Sequence, residues 1–150
     1  MKLIFLDYDG VVNTLMFDKD NLTPRFYFPK DNKVNNYQAI MWLNKLCLET
    51  GAKIVVTSSW RLWDNYKEVL YNSGLLESID VMGKTENLGN RTVEIKEYLS
   101  SLNEPIISFV VLDDDTVEGF ERNQVKCSIF TGFNFLEYRK ALKILNRFEA

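Results

Sequence analysis

The sequence contains no histidine among its 150 residues. Without imidazole side chains, the chain cannot build Ser-His-Asp or Cys-His catalysis, a zinc site with histidine ligands, or phosphohistidine chemistry. Proton transfer in any active site must therefore rely on carboxylates. A catalytic metal should be a hard cation held by oxygen ligands, and Mg²⁺ is the one we expect.

Cysteines and long apolar runs are also scarce. Cys47 and Cys127 stand alone in apolar surroundings, which is neither a disulfide framework nor a metal-ligand spacing, so we expect reduced core thiols and a cytoplasmic location. No apolar run approaches the ~18 residues that cross a bilayer, and the first residues do not resemble a secretory leader. We therefore expect no membrane partner.

The net charge limits the classes of binding partner that the sequence favours. A net charge of −3 provides no general basic surface, so nucleic-acid binding is compatible with the sequence but not favoured by it. At this length, 46% hydrophobic residues suffice for one sizeable core, and we expect a single domain over residues 1–150. Nothing in the sequence indicates the oligomeric state.

Short apolar runs alternate with amphipathic segments along the chain. The runs predicted to be strands are 3–6, 52–56, 79–82, 106–112 and 126–130. The segments predicted to be helices are 36–50, 64–73, 91–102 and 135–148. This alternation is typical of an α/β fold with a doubly wound parallel sheet and helices on both faces.

The segment 15–35 interrupts this alternation. It contains Pro24, Pro29 and an aromatic run at Phe26, Tyr27 and Phe28. A connection of this length in a compact domain is usually functional, so we predict a loop or small flap over the site. The aromatic run is more typical of a local hydrophobic anchor than of a substrate clamp.

Polar side chains follow three of the predicted strands. Asp7 and Asp9 follow the first, Thr57 and Ser58 the second, and an acidic run at 113–115 the fourth. Since the carboxyl ends of parallel strands share one edge, these groups should converge there. Crowded carboxylates call for a divalent cation, and hydroxyls beside a cationic side chain would suit a phosphoryl group.

Structural roles compete with these functional ones. An aspartate after a strand is often a turn residue or helix cap, a reading that applies best to Asp115. The run 57–59 can be a helix cap, and Arg91 can be a solvated helix residue. Trp60 and Arg61 are more typical of packing and of a salt bridge than of ligands.

Together these residues resemble the haloacid dehalogenase-like (HAD) hydrolase superfamily over nearly the whole chain. The run LIFLDYDGVV matches its first motif, KIVVTSS the second and FVVLDDD the fourth. The third motif requires a basic residue near the start of the helix that precedes the fourth motif. Arg91 fits this position, and Lys84 is the alternative.

The resemblance implies a Mg²⁺-dependent phosphatase. Asp7 would be the nucleophile that forms an aspartyl-phosphate, and Asp9 the general acid and base. Mg²⁺ would be held by Asp7, the backbone carbonyl of Asp9 and one of the late acids. Asp114 is the expected direct ligand, with Asp113 orienting the metal shell, although the reverse assignment stays open. Thr57 or Ser58, with Arg91, would bind the phosphoryl oxygens.

The resemblance also bears on the substrate. Segment 15–35 is too short for a full cap domain, so the site should be open to large phosphorylated substrates. The TSSWR string and the late LDDD resemble HAD domains of RNA repair and of polynucleotide 3′-phosphatases. Phosphotransferase activity and a non-catalytic Mg²⁺-binding signalling or scaffold role remain alternatives. A receiver-type signalling domain fits less well. Such a domain has adjacent acids at its first strand, whereas this chain has Asp7 and Asp9 there and its adjacent acids late, at 113–115.

Overall fold

The computed structural model describes residues 1–18, 21–26 and 31–147. The strands within these ranges are β1 (Lys2–Leu6), β2 (Met16–Asp18), β3 (Asn21–Arg25), β4 (Lys53–Val56), β5 (Val81–Lys84), β6 (Ser108–Asp113) and β7 (Gln124–Lys126). The helices are α1 (Tyr37–Thr50), α2 (Tyr66–Asn72), α3 (Arg91–Ser101) and α4 (Phe135–Leu145), with a 3₁₀ turn at Ser59–Leu62.

The main sheet has five strands in the order β5-β4-β1-β6-β7, and each neighbouring pair is parallel. β1 occupies the centre, and all five of its residues are buried, which explains why its sequence is continuously apolar rather than alternating. The chain builds outward from β1 to β5 and then returns to the other side of β1. This reversal opens a crevice between the carboxyl ends of β1 and β6, where open α/β sheets bind ligands.

Helices cover both faces of the sheet, as the sequence predicts. Alternate residues of β1 point to opposite faces: Ile4 and Leu6 pack with α1, α2 and α4, whereas Leu3 and Phe5 pack against α3. Burying a large apolar side chain of this kind contributes ~1.5–3 kcal/mol. Cys47 and Cys127 are buried free thiols, as expected.

Two edge strands differ from their predicted positions. β5 begins at Val81 rather than at residue 79, because Ile79 is held in a turn by its amide hydrogen bond to the Leu76 carbonyl. β7 ends at Lys126, and the residues after Cys127 form a turn closed by a bridge between Ser128 and Gly132. The predicted strand 126–130 is therefore largely wrong, since short edge strands depend on the neighbouring strand for their hydrogen bonds.

The predicted flap contains an antiparallel hairpin of β2 and β3, in which Met16 pairs with Arg25. Of the aromatic run, Phe26 is partly exposed, while Tyr27 and Phe28 lie outside the described residues. α4 ends at Leu145, and the predicted helix end at residue 148 lies outside the described part of the chain.

No helix in residues 1–18, 21–26 and 31–147 is long and apolar enough to cross a membrane.

Candidate active site

The register of β1, β4 and β6 aligns the polar residues that follow these strands. Leu6 pairs with Val56 on one side and with Leu112 on the other. The ladder continues for one more step, because the Asp7 amide donates to the Leu112 carbonyl at 3.0 Å and the Thr57 amide donates to the Leu6 carbonyl at 2.9 Å. Asp7, Thr57 and Asp113 therefore sit side by side at the crevice.

Three carboxylates converge at this point. Asp7, Asp113 and Asp114 each place one carboxylate oxygen within 4.8 Å of the other two. Asp7 and Asp113 are buried, whereas Asp114 is half-buried. The predicted convergence of the first and fourth strand ends is thus present in the structure.

Gly10 lets the turn after β1 approach the turn after β6. Its φ is +85°, a conformation that side chains with a Cβ rarely adopt. A Cβ at this position would lie 2.5 Å from both Cβ and Cγ of Asp114. The close packing of these two turns therefore requires glycine at residue 10.

Asp9 lies apart from the three-carboxylate cluster. Its Oδ1 accepts a hydrogen bond from the Asn13 side-chain amide at 2.9 Å. Burial raises the pKa of Asp9, while hydrogen bonds from Asn13 and Trp60 act in the opposite direction. Half-burial thus favours the protonated form of Asp9 more than water would, which suits a proton donor.

Arg91 links the ends of three strands. It begins α3, which is capped by Asn90, and its Nη1 donates to the Thr57 hydroxyl at 2.8 Å. The same nitrogen lies 3.3 Å from Asp113 Oδ2 and 4.0 Å from Asp7 Oδ1. Arg91 is therefore not a merely solvated helix residue.

Of the two predicted hydroxyls and the two candidate cations, one of each makes contacts away from the three acids. Ser58 uses its hydroxyl to cap the 3₁₀ turn, accepting from the Trp60 amide at 3.2 Å, so the capping interpretation applies to Ser58, and Thr57 faces Arg91. Lys84 donates to the Arg61 carbonyl at 2.9 Å and lies over the ring of Tyr66. Lys84 is therefore engaged away from the acids.

The electrostatics of the cluster fit a bound cation. Burial, followed by the neighbouring charge of Asp113, holds the pKa of Asp7 well above its usual range, and Arg91 only partly opposes this. Burial likewise raises the pKa of Asp113 to about 6. When all three carboxyl groups are ionised, a single guanidinium leaves excess negative charge in this desolvated site, and a bound cation would stabilise that ionised state. Oxygen donors with this charge suit a hard divalent ion such as Mg²⁺.

The remaining sequence candidates make turn, packing and ion-pair contacts. Asp115 is exposed, and its backbone amide donates to Asp113 Oδ1 at 2.9 Å, as a turn residue does. Trp60 packs edge-on against Tyr8, with ring centroids 5.4 Å apart, so the packing interpretation of Trp60 is confirmed. Arg61 forms a buried salt bridge with Glu94 at 2.9 Å, also as predicted.

Sequence reasoning missed Glu94. Its carboxylate is buried beneath the site and contacts both Arg61 and Arg91. The available signal is its position three residues after Arg91 on the same helix, beside the core residue Ile95.

Comparison with known proteins adds one finding. Residues 3–135 match the family model described as the HAD domain in Swiss Army Knife RNA repair proteins. Neither the curated proteins nor the solved structures provide a significant match. The matched range contains β1 except for Lys2, the strands β2 to β7 and all the clustered acids. Such a domain supports a hydrolase or phosphatase-type function. Because the match covers most of the chain, this protein belongs to the HAD superfamily, in the family of HAD domains of Swiss Army Knife RNA repair proteins.

Proposed function

We propose that this chain is a Mg²⁺-dependent phosphomonoesterase that works through an aspartyl-phosphate on Asp7. One observation carries the proposal: Asp7 lies at the crevice, within 4.8 Å of the Asp113 and Asp114 carboxylates, while Arg91 joins it to the Thr57 hydroxyl. The residues proposed as nucleophile, as metal-binding acids and as donors to phosphoryl oxygens therefore lie close together.

Arg91 and Thr57 would bind the phosphoryl group. A guanidinium offers a planar set of donors that matches two phosphate oxygens at once. Arg91 is 28% exposed at its side chain, so it can turn part of this donor set toward a ligand. The Thr57 hydroxyl, 2.8 Å from Arg91 Nη1, adds a neutral donor beside it.

The reaction would proceed in two displacements. A carboxylate oxygen of Asp7 bonds to phosphorus, while the P–O bond to the leaving group breaks and the leaving oxygen takes a proton from Asp9. Asp9 then removes a proton from water, the water oxygen bonds to phosphorus, and the bond to Asp7 breaks, which releases phosphate and restores both acids. Mg²⁺, held by Asp7, Asp114 and the Asp9 carbonyl with Asp113 beside them, would reduce repulsion between nucleophile and phosphate.

We further propose an RNA end bearing a terminal phosphate as the substrate class. The matched family is described by its occurrence in RNA repair proteins. Among the described residues, the segment between β1 and α1 forms a short β2–β3 hairpin, which is too small for a cap domain. Transfer of the phosphoryl group to another acceptor uses the same first step, so the test below includes an acceptor hydroxyl.

The first test is phosphate release from p-nitrophenyl phosphate, with Mg²⁺ or with EDTA. We expect turnover that EDTA removes and that Asp7→Asn abolishes, since this change deletes the nucleophile with little change in volume. Asp115→Asn is the matched control, because it makes the same substitution at an exposed acid of the same sheet edge. A folded Asp7→Asn variant with wild-type turnover would contradict the proposal.

The substrate class is tested next. Oligoribonucleotides carrying a 3′-phosphate or a 5′-phosphate are compared with a nucleoside monophosphate, with and without glycerol as acceptor. We expect a higher kcat/KM for one oligonucleotide end than for the mononucleotide, and free phosphate as the product. Equal values would remove RNA ends as the preferred class, and phosphoglycerol formation would favour a phosphotransferase.

A further inference from the structure

A buried ion pair lies directly beneath the proposed phosphate-binding groups. The side chains of Arg61 and Glu94 are 5% and 4% exposed, and Arg61 Nη2 lies 2.9 Å from Glu94 Oε2. Removing two charges from water costs free energy that their attraction often only balances, so a buried pair is weak evidence for stability alone. The contacts of this pair point to another role.

Arg61 holds the loop that carries Thr57. Its Nη1 donates to the carbonyls of Thr57 at 2.6 Å and Ser58 at 2.9 Å. Its Nε donates to the carbonyl of Thr85, just after β5, at 3.1 Å. One guanidinium therefore ties the loop after β4 to the end of the next strand and, through Glu94, to α3.

The two carboxylate oxygens of Glu94 have different partners. Oε2 accepts from Arg61 and also from the Leu88 amide at 2.9 Å. Oε1 lies 3.7 Å from Arg91 Nε, while Arg91 Nη1 reaches the Thr57 hydroxyl. The Glu94 carboxylate thus forms an ion pair with the Nε side of the Arg91 guanidinium, while Nη1 of that guanidinium faces the active site.

We infer that Arg61 and Glu94 are positioning residues, which fix Arg91 and the Thr57 hydroxyl in the geometry that binds a phosphoryl group. This inference rests on the proposed function for its ligand class, a phosphate monoester or inorganic phosphate. Neither residue touches the substrate. Both act through the guanidinium of Arg91 and the backbone carbonyls of the loop.

Glu94→Gln separates the two halves of this arrangement. The amide oxygen of glutamine can replace Oε2 and still accept from Arg61 and Leu88, while its NH₂ group then replaces Oε1 and faces Arg91, donor against donor. We expect the dissociation constant of inorganic phosphate to rise about 10- to 100-fold, the loss that is typical when a residue that orients a metal ligand is replaced. Glu97→Gln is the matched control on the same helix, since its side chain is exposed.

The decisive readout is a double-mutant cycle with Arg91→Ala, followed by calorimetric titration of inorganic phosphate in the presence of Mg²⁺. If Glu94 acts through Arg91, Glu94→Gln weakens phosphate binding in the wild type but has no further effect once Arg91 is absent. Equal effects of Glu94→Gln in both backgrounds would overturn the inference, because they would show a general structural role.

A second variant guards against misfolding. Arg61→Met combined with Glu94→Leu removes both charges together, a change that buried ion pairs often tolerate. We expect a cooperative thermal transition and the same loss of phosphate affinity as in Glu94→Gln. Unchanged phosphate affinity in this variant would overturn the inference.

The cycle also separates this inference from the proposed function. If the wild type binds phosphate but hydrolyses no ester, the hydrolase proposal fails and the cycle still decides the positioning role. If it hydrolyses esters and the cycle is additive, only the positioning role fails. Absence of phosphate binding in the wild type would overturn the positioning role alone, because the hydrolase proposal is judged by turnover of the ester.

Discussion

Substitution of Gly10 by alanine tests whether the turns after β1 and β6 must touch for the site to work. Gly10 has φ +85°, and a Cβ there would lie 2.5 Å from Cβ and Cγ of Asp114. Carbon contacts are normally ~3.5–4.0 Å, so Asp114 would have to move by roughly 1 Å. The proposed metal ligand would then be displaced while the rest of the sheet stays in place.

Two effects of different size should follow. A left-handed conformation costs a residue with a Cβ ~1–2 kcal/mol, which lowers the melting temperature by about 2–8 °C in a domain of this size. Misplacing a functional group by about 1 Å can reduce turnover by about 100-fold. We therefore expect a moderate loss of stability and a much larger loss of kcat/KM and of Mg²⁺ affinity.

Gly51 provides the control for backbone strain. It also has positive φ, +71°, but no atom lies within 4 Å of a Cβ placed there, and it ends α1 at the opposite edge of the sheet. The assay compares thermal unfolding and Mg²⁺-dependent turnover of p-nitrophenyl phosphate in Gly10→Ala and Gly51→Ala. Equal turnover in the two variants would refute the reasoning, since it would show that the contact with Asp114 is irrelevant to the chemistry.

Three further predictions follow from other residues. Tyr8→Phe removes the hydroxyl that donates to the Tyr66 carbonyl at 2.5 Å, so the free energy of unfolding in urea should fall by ~1–3 kcal/mol; an unchanged midpoint would contradict this. Asp9→Asn removes the proton donor, so kcat/KM should fall more for an alkyl phosphate than for p-nitrophenyl phosphate, whose leaving group needs no proton; equal losses would argue against the acid role. Burial raises the pKa of the Cys47 thiol to about 12 and also raises that of Cys127, so the folded protein should resist DTNB at pH 8 and react with it in urea. Rapid DTNB labelling of the folded protein would contradict this burial. Because unfolded thiols ionise near pH ~8.5, the free energy of unfolding should also fall as the pH rises from about 8.5 toward 12, since only the unfolded state loses these protons.

The central strands were predictable because their sequence signal is strong. β1 and β6 are buried on both faces, so their apolar runs stand out against the polar residues that follow. Parallel strands place their carboxyl ends together, so the sequence alone predicts that Asp7 and Asp113 lie at one edge of the sheet. The structure places both acids there.

The edge strands were less predictable for the opposite reason. β7 has three residues, too few for a periodic pattern, and the predicted strand 126–130 lies further along the chain. Phe130 is instead 63% exposed. Hydrogen bonding to β6, rather than hydrophobicity, sets where this strand begins and ends.

Local pattern was enough to specify the fold class, the order of the central elements and the acids at the strand ends, because burial and strand polarity leave a periodic trace in the sequence. The orientation of Thr57 rather than Ser58 toward Arg91, the diversion of Lys84, and the contact between Arg61 and Glu94 came from tertiary packing alone. These contacts depend on side-chain direction and join residues more than twenty positions apart in most cases. No local periodicity encodes such distances, so only the assembled sheet and helices could decide them.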